Sequence, residues 1–161
     1  MRENNKPLVS IKNTLIGWFS IQIVRVRGKS MEPAIGENSW KLASRAGFRK
    51  RDPQRFDVVR LEDPRAPNHW IIKRIIGLPG EEIVLKTGEL VVDGTSVEDL
   101  FACCPDPALD NGEWWPRDDE YIVLGDNRSA STDSRVFGPV KRTAIRSRVL
   151  GKGMSLDTSR S

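Results

Sequence analysis

A serine and a lysine in separate segments are the residues of this chain best suited to hydrolytic chemistry. Ser30 lies in a turn that Gly28 loosens and Pro33 stiffens, directly after a predicted strand. A hydroxyl in such a turn is presented at a sheet edge, although a serine between Gly and Pro is more often only a turn or capping residue. The chemical use of Ser30 therefore depends on a base placed near it by another segment.

Lys73 is the candidate base. It lies within Trp70–Ile76, whose β-branched residues predict a strand. Alternation along a strand places Lys73 on the same face as Ile71 and Ile75, with Arg74 on the opposite face. An amine on this apolar face is partly desolvated, which lowers its pKa and allows it to act as a base. The alternative is an edge-strand lysine whose amine reaches water.

A polar segment at residues 125–135 could complete the site. A loop so rich in Asp, Asn, Ser and Gly is ordinarily a solvated turn that satisfies its own backbone. The same groups also suit a buried network that fixes a neighbouring amine. The ion pairs predicted to pin such a loop are Asp133 with Arg135 or Asp126 with Arg128.

Other catalytic arrangements are weakly motivated. The only histidine, His69, excludes sites that need several histidines, and the adjacent Cys103 and Cys104 cannot form a four-thiolate zinc site. A Ser/His/Asp arrangement, or a cysteine acting with His69, stays open but has no supporting pattern. We expect neither a metal nor a cofactor.

The strand and turn signals predict a mostly β fold. Residues 98–118 are too irregular for the main sheet and are predicted to form a small excursion, and residues 45–55 read as a solvated basic loop or strand edge. We expect an antiparallel sheet or barrel-like fold with a short N-terminal helix. The other predicted strands span residues 21–26, 56–61, 82–85, 90–93, 120–124 and 145–150, with a hairpin turn at 86–89.

Length and charge narrow the classes of protein. A chain of 161 residues fits one domain, and 26 Lys and Arg against 22 Asp and Glu permit anionic partners without demanding them. The sequence contains no run of about 18 apolar residues, so no ordinary membrane-spanning helix is predicted. An apolar stripe in residues 8–18 fits a helix that lies in a bilayer interface or packs on the core.

The three polar segments together resemble the type I signal peptidase family. Residues 30–33, 73–81 and 125–135 occur in the order of the family's motifs, with residues 56–59 between the first two. The resemblance covers about residues 21–150 and implies a serine endopeptidase with a Ser/Lys dyad on a β-rich fold. Such an enzyme removes signal peptides from exported preproteins at sites of the Ala-X-Ala type.

The resemblance also assigns roles to individual residues. It implies that Ser30 is the nucleophile and that Lys73 takes its proton and later delivers it to the leaving amine. Ser131 matches the position whose hydroxyl orients this amine, and Asp133 and Arg135 match the pair that holds the active-site loop.

The resemblance also indicates, with fewer matching residues, how a substrate would bind. The Ser30 N–H would form the oxyanion hole, but the position two residues earlier, a hydroxyl donor in some members, is Gly28 here. The substrate is expected to bind as an added strand near residues 22–25 and 70–72. Asp126 is a further supporting residue, and the candidate pocket residues are Met31, Ile35 and Ile72.

The expected domain organisation follows. We assign residues 1–20 to an amphipathic segment that is a candidate for membrane association, 21–152 to the catalytic domain, and 153–161 to a flexible tail. In place of the family's usual spanning helix we expect only the segment before residue 21. The expected partners are preproteins and a membrane surface, with the active site on the extracytoplasmic side, and no nucleic acid.

Three alternatives stay open. A specialised maturation protease of the same family, such as those resembling nickel superoxide dismutase processing proteases, would cut one client's propeptide. A Ser/Lys autoprotease like the cleavable repressors would need an N-terminal DNA-binding domain, for which we expect no room. A non-enzymatic basic β module would bind nucleic acid or anionic lipid through residues 45–55 and 141–152, which leaves the three ordered motifs unexplained.

Overall fold

Antiparallel strands make up most of the computed structural model, which describes residues 20–106 and 108–151. The strands are β1 (Ile21–Arg25), β2 (Trp40–Ser44), β3 (Val58–Glu62), β4 (Trp70–Gly77), β5 (Ile83–Lys86), β6 (Glu89–Val92), β7 (Thr95–Val97), β8 (Asn111–Trp114), β9 (Glu120–Leu124), β10 (Val140–Lys141) and β11 (Ile145–Leu150). Two short helices, α1 (Gly47–Lys50) and α2 (Ser134–Phe137), and two 3₁₀ turns at Arg128–Ala130 and Arg142–Ala144 complete the elements. The predicted mostly β fold is confirmed.

The strands form two sheets. The main sheet has seven strands in the order β1-β2-β11-β3-β4-β9-β10 and is curled into a half-barrel. The second has four strands in the order β7-β6-β5-β8. β4 pairs with β3 from Trp70 onward, but its pairing with β9 begins only at Arg74. Residues 70–73 of β4 therefore have one edge without a strand neighbour among the described residues.

Three buried apolar clusters hold these layers together. The first covers one face of β3 and β4 around Val59, Leu61 and Ile75. The second lies where the second sheet packs on β4 and β9, and the third lies beneath the segment that follows β1. From Lys73 onward β4 is consequently buried, which leaves a polar group on this part of the strand little access to water.

Most of the predicted strands are present at nearly the predicted bounds. The hairpin β5–β6 turns at Thr87 and Gly88, which both have positive φ, 51° and 87°, as the tightest hairpin turn requires. Residues 98–118 stay outside the main sheet as predicted, but they contribute β8 to the second sheet. The segment 45–55 contains the helical turn α1 rather than only a loop, and β2, β7 and β10 were not predicted. The predicted N-terminal helix falls on residues 1–19, outside the described residues.

Packing at the junction of the two sheets yields a stability prediction. A Cβ on Gly77 would lie 2.6 Å from Ile83 Cγ1 and 3.0 Å from Ile122 Cβ. Overpacking of this kind costs about 1–3 kcal/mol, so Gly77→Ala should lower the free energy of unfolding by that amount in urea denaturation. Gly36, where an added Cβ meets no atom within 4 Å, provides the control. Gly36→Ala should change stability by less than about 0.5 kcal/mol, and equal effects of the two substitutions would contradict the packing argument.

Candidate active site

The segment after β1 presents Ser30. The Val26 N–H donates to the Ser39 carbonyl at 2.8 Å, which closes the segment between them into a loop at the base of β1. Inside that loop Met31 is buried in the third apolar cluster. The Ser30 carbonyl accepts the Asn127 N–H at 3.1 Å, so the serine backbone is fixed from the polar loop as well.

The predicted serine and lysine lie in direct contact. Lys73 Nζ on β4 donates a hydrogen bond to Ser30 Oγ at 2.7 Å, and only 4% of Lys73 is exposed. The contact joins residues 43 positions apart in the chain. The distance is short enough for a proton to pass directly between the hydroxyl and the amine.

Burial sets the proton affinity of the amine. It lowers the pKa of Lys73 from 10.5 to about 8. Among the charged neighbours, Asp133 raises the pKa of Lys73 and Arg135 lowers it. Asp63 likewise raises this pKa and Arg65 lowers it. Because each nearby carboxylate is accompanied by an arginine, desolvation decides the outcome, and the amine loses its proton in mildly alkaline solution.

Asp133 makes several contacts within residues 125–135, which we call the polar loop. Its carboxylate caps α2 by accepting the Arg135 N–H, accepts the Gly125 N–H at 3.0 Å, and binds the Arg135 guanidinium at 2.8 Å. Burial raises the pKa of Asp133, but the hydrogen bonds from Arg135 and Gly125 outweigh burial and leave the pKa below its ordinary value. The predicted Asp133–Arg135 ion pair is present in the structure.

The second predicted pair is wrong. Asp126 binds Arg74, not Arg128, through two hydrogen bonds of 2.7 and 2.6 Å, and both side chains are buried. Arg74 leaves β4 on the face opposite Lys73, which directs its guanidinium to Asp126, and it also donates to the Phe56 carbonyl. This tertiary contact outcompetes the local pair of neighbours in the loop.

The excursion supplies partners that the sequence did not reveal. Arg128 binds Asp99, and Arg135 binds Asp110 at 2.7 Å. The Cys103 backbone donates to the Asp126 carbonyl at 2.7 Å and accepts from the Arg128 N–H at 3.0 Å. Nothing local distinguishes Asp99 or Asp110 from a solvated loop carboxylate, since their role comes only from docking against residues 125–135.

Ser131 lies close to the dyad without completing the predicted contact. A Cβ on Gly125 would lie 2.2 Å from Ser131 Oγ and 2.5 Å from the Ser30 carbonyl oxygen. Ser131 Oγ is buried, and within the described ranges it completes no hydrogen bond, to Lys73 or to any other group. It is near enough to Asp133 to help lower the pKa of that carboxyl. The orienting role of Ser131 toward the amine stays a prediction.

A groove of about 380 Å³ runs along the dyad. Ser30 and Lys73 line it together with residues 23–27 of the β1 side and residues 69–72 of the β4 side. Of the predicted pocket residues, Met31 and Ile72 line the groove. Ile35 does not, because the turn that bonds its N–H to the Met31 carbonyl packs it into the core and toward a different depression.

The alternative catalytic residues are not assembled. The His69 side chain is 65% exposed and its Nδ1 lies 3.7 Å from Asp63 Oδ2, so it faces a carboxylate and solvent rather than the Ser30 hydroxyl. Cys103 and Cys104 are free thiols in the excursion. The geometry therefore favours the amine as the base.

Comparison with known proteins agrees with this arrangement. Residues 8–152 match the family model described as signal peptidase, peptidase S26. The chain is 36% identical over 150 residues to the probable signal peptidase I-2 of Synechocystis sp., covering 89% of this chain and 68% of that protein. It is 34% identical over 135 residues to signal peptidase I V of Bacillus subtilis, with coverages of 75% and 79%.

More distant relatives and a solved structure match as well. Mitochondrial inner membrane protease subunit 1 of Homo sapiens is 32% identical over 130 residues, which is 81% of this chain and 68% of that protein. The crystal structure of a signal peptidase I from Enterococcus faecalis superimposes with a TM-score of 0.54 at 30% identity. That match covers 63% of this chain and 98% of the Enterococcus chain.

Burial of the amine predicts a gain in stability when it is removed. Because the pKa of Lys73 falls from 10.5 to about 8 on folding, the protonated form costs the folded state about 3 kcal/mol. Lys73→Met should raise the free energy of unfolding by about 1–3 kcal/mol near pH 7, after loss of the Ser30 hydrogen bond is included. Urea denaturation measures the change.

The pH dependence and a control make this result specific. Between about pH 8 and 10.5 the unfolded chain holds more protons than the folded one, so the parent gains stability as pH rises through this window. The advantage of Lys73→Met should shrink over the same window. Lys86→Met, at an exposed position of β5, should have little effect at any pH, and a Lys73→Met variant no more stable than the parent would contradict the burial cost.

Proposed function

This chain belongs to the signal peptidase family, peptidase S26, and we propose that Ser30 and Lys73 carry out the hydrolysis by which it removes signal peptides. The enzyme is a serine endopeptidase of the signal peptidase I type. The observation that supports the dyad is the 2.7 Å contact between Nζ of the buried Lys73 and Oγ of the partly exposed Ser30. No histidine is needed, because burial alone brings the lysine into a usable range of pKa.

The first half-reaction forms an acyl-enzyme. The uncharged Lys73 amine takes the hydroxyl proton as Ser30 Oγ attacks the carbonyl carbon before the cleaved bond. The developing negative charge on the carbonyl oxygen accepts a hydrogen bond from the Ser30 N–H, and Gly28 adds no side-chain donor. The carbon–nitrogen bond then breaks, and the Lys73 ammonium gives its proton to the leaving amine.

The second half-reaction repeats this proton transfer with water. Lys73, uncharged again, takes a proton from a water molecule that attacks the ester carbonyl. The ester bond to Ser30 breaks, and Lys73 returns the proton to Oγ. The polar loop acts through position rather than contact with substrate, because Asn127 holds the Ser30 carbonyl while Asp126 is fixed by Arg74.

The groove suits an extended peptide. We propose that the preprotein lies between β1, an edge strand of the main sheet, and residues 70–73 of β4, whose second edge has no strand partner in the described structure. A peptide there gains main-chain hydrogen bonds by strand addition. Met31 and Ile72 line the groove beside Ser30, which fits a small apolar side chain such as Ala next to the cleaved bond.

Preprotein cleavage tests the dyad. With a preprotein that carries an Ala-X-Ala site, Ser30→Ala and Lys73→Met should each lower kcat by on the order of a thousandfold or more. Ser96→Ala and Lys86→Met, matched changes in the second sheet, should cleave like the parent. The parent's kcat/KM should rise with pH through about 8, as the Lys73 amine loses its proton. Dyad variants that cleave at the parent's rate, or a flat profile from about pH 6 to 9, would refute the assignment.

A membrane surface is the second proposed partner. The hairpin of β1 and β2 exposes a contiguous apolar face, with Ile23 opposite Leu42 and the exposed Trp40 opposite Arg25. The exposed fractions are 48% for Ile21, 69% for Ile23, 65% for Trp40 and 47% for Leu42. In the described residues no helix is both long and apolar enough to cross a membrane. We propose that this face rests on the extracytoplasmic surface of a bilayer, where apolar and aromatic side chains enter the interface.

Vesicle co-sedimentation tests this contact. An Ile23→Ser, Trp40→Ser double variant should bind vesicles of phosphatidylcholine and phosphatidylglycerol several-fold more weakly than the parent, because it loses buried apolar area. The matched control is Leu109→Ser with Trp115→Ser, which removes an aliphatic and an aromatic side chain that are also mostly exposed, 54% and 62%, from the excursion. Equal losses in both double variants would show that the hairpin face is not the membrane contact.

A further inference from the structure

The groove beside the dyad is basic on both sides. Arg25 and Arg27 line it from the β1 side, Arg60 lines it from β3, and its described lining contains no Asp or Glu. Arg25 is partly engaged, because it donates to Asn38 Oδ1 at 3.3 Å and lies over the Trp40 ring. A peptide in this groove therefore meets positive charge without any fixed compensating carboxylate.

Arg60 differs from the other sheltered arginines of the molecule. Its guanidinium lies 4.2 Å from the centre of the Trp70 ring, and it forms no ion pair or hydrogen bond with another described residue. Arg74, Arg128 and Arg135 each bind a buried carboxylate. Arg60 is half-buried and has no anion.

The surroundings of Arg60 add positive charge instead of neutralising it. Burial and the nearby Arg45 both lower the pKa of Arg60. Arg146 approaches the same Trp70 ring at 6.0 Å. Glu62, two residues farther along β3, accepts the Asn68 N–H at 2.9 Å and forms no ion pair with Arg60. A carboxylate arriving from outside would thus find a pre-positioned guanidinium that nothing in the described chain satisfies.

We propose that Arg60 selects substrates that carry a Glu or Asp side chain at the third residue before the cleaved bond, the position of the first Ala in an Ala-X-Ala site. This inference rests on the proposed function, because it places an extended substrate in the groove with its cleaved carbonyl at Ser30. The carboxylate would bind the guanidinium fork through two parallel hydrogen bonds, while Trp70 holds the plane of the fork from behind.

Strand geometry fixes the position of the acidic residue. Arg60 is directly opposite Ile72 in the pairing of β3 with β4, and Trp70 lies two residues farther from Lys73 on the same face. An extended chain advances about 3.3 Å per residue and returns to the same face every second residue. If the residue that supplies the cleaved carbonyl lies at Ile72 and the peptide runs parallel to β4, the residue two positions earlier lies about 7 Å along the groove, beside Trp70. The Arg60 guanidinium reaches this position because it lies over the Trp70 ring.

A peptide carboxylate fits Arg60 better than a lipid headgroup does. Arg60 stands on the wall of the groove and is half-buried, whereas Arg25 and Arg27 are exposed. A headgroup at a bilayer surface would meet the exposed arginines first. A strand lying in the groove passes Arg60 directly.

Matched preproteins test the selection. Four substrates identical except for Glu, Gln, Ala or Lys at the third residue before the cleaved bond are compared by kcat/KM. In the parent, Glu should exceed Gln by about tenfold, the effect of one charge-assisted hydrogen-bonded pair in a partly buried site. Lys should be the poorest substrate. Arg60→Gln should bring the Glu-to-Gln ratio close to one, and Arg60→Glu should reverse the order of Glu and Lys.

Arg146→Gln is the matched control, because Arg146 shares the Trp70 ring but does not line the groove. It should keep the Glu preference of the parent at about 0.5 M salt, where diffuse fields are screened. Equal rates for Glu and Gln in the parent would overturn the proposal, as would equal loss of preference in the Arg60 and Arg146 variants. Arg60→Gln that loses binding to phosphatidylglycerol vesicles but keeps the substrate preference would assign Arg60 to lipid and also overturn it.

The same assay separates this inference from the proposed function. Circular dichroism confirms that each variant is folded before rates are compared. Cleavage that persists in Ser30→Ala would refute the dyad itself. Cleavage that requires Ser30 but ignores the third residue would refute only the role of Arg60.

Discussion

The proposed mechanism depends on keeping the Lys73 amine out of water while it contacts the Ser30 hydroxyl. Lys73 is almost fully buried, and burial lowers its pKa to about 8, while the charged neighbours Asp133 and Arg135 oppose each other. A solvated lysine at the same distance from Ser30 would stay protonated and could not accept the hydroxyl proton. In the proposed mechanism, the apolar side chains that bury Lys73 therefore contribute to catalysis, although none of their atoms reacts.

Two buried networks of ion pairs hold the segments around the Lys73–Ser30 contact in position. Arg74 with Asp126, and Arg135 with Asp133 and Asp110, tie β4, the polar loop and the excursion into one rigid frame behind Ser30. Buried ion pairs add little net stability because desolvation offsets their attraction, but breaking one leaves an uncompensated charge. We infer that their value here is geometric, since the same loop holds the Ser30 carbonyl through Asn127.

The buried and half-buried arginines fall into two groups that differ in whether the chain supplies a carboxylate partner. Arginines behind the dyad pair with carboxylates of the chain, whereas those that line the groove form no ion pair within the described residues. Arg60 pairs with Ile72 across the sheet, and its guanidinium extends over the ring of Trp70. In the proposed complex, one extended peptide would contact both Ser30 and the basic part of the groove.

Local periodicity was sufficient to predict β4, the side of it on which Lys73 lies, and the hairpin turn at Thr87 and Gly88, because these follow from residue type and alternation alone. The ordered motifs around Ser30, Lys73 and residues 125–135 pointed to the family before any contact was known. Tertiary structure alone decided that Asp126 binds Arg74, a residue 52 positions away, and that Ile35 turns into the core instead of the groove. It also decided that β2 forms a strand between β1 and β11, and that Asp110 in the excursion binds Arg135 of residues 125–135. These outcomes depend on which segments, distant in the sequence, pack against each other. Residue types within a short segment do not determine those long-range contacts.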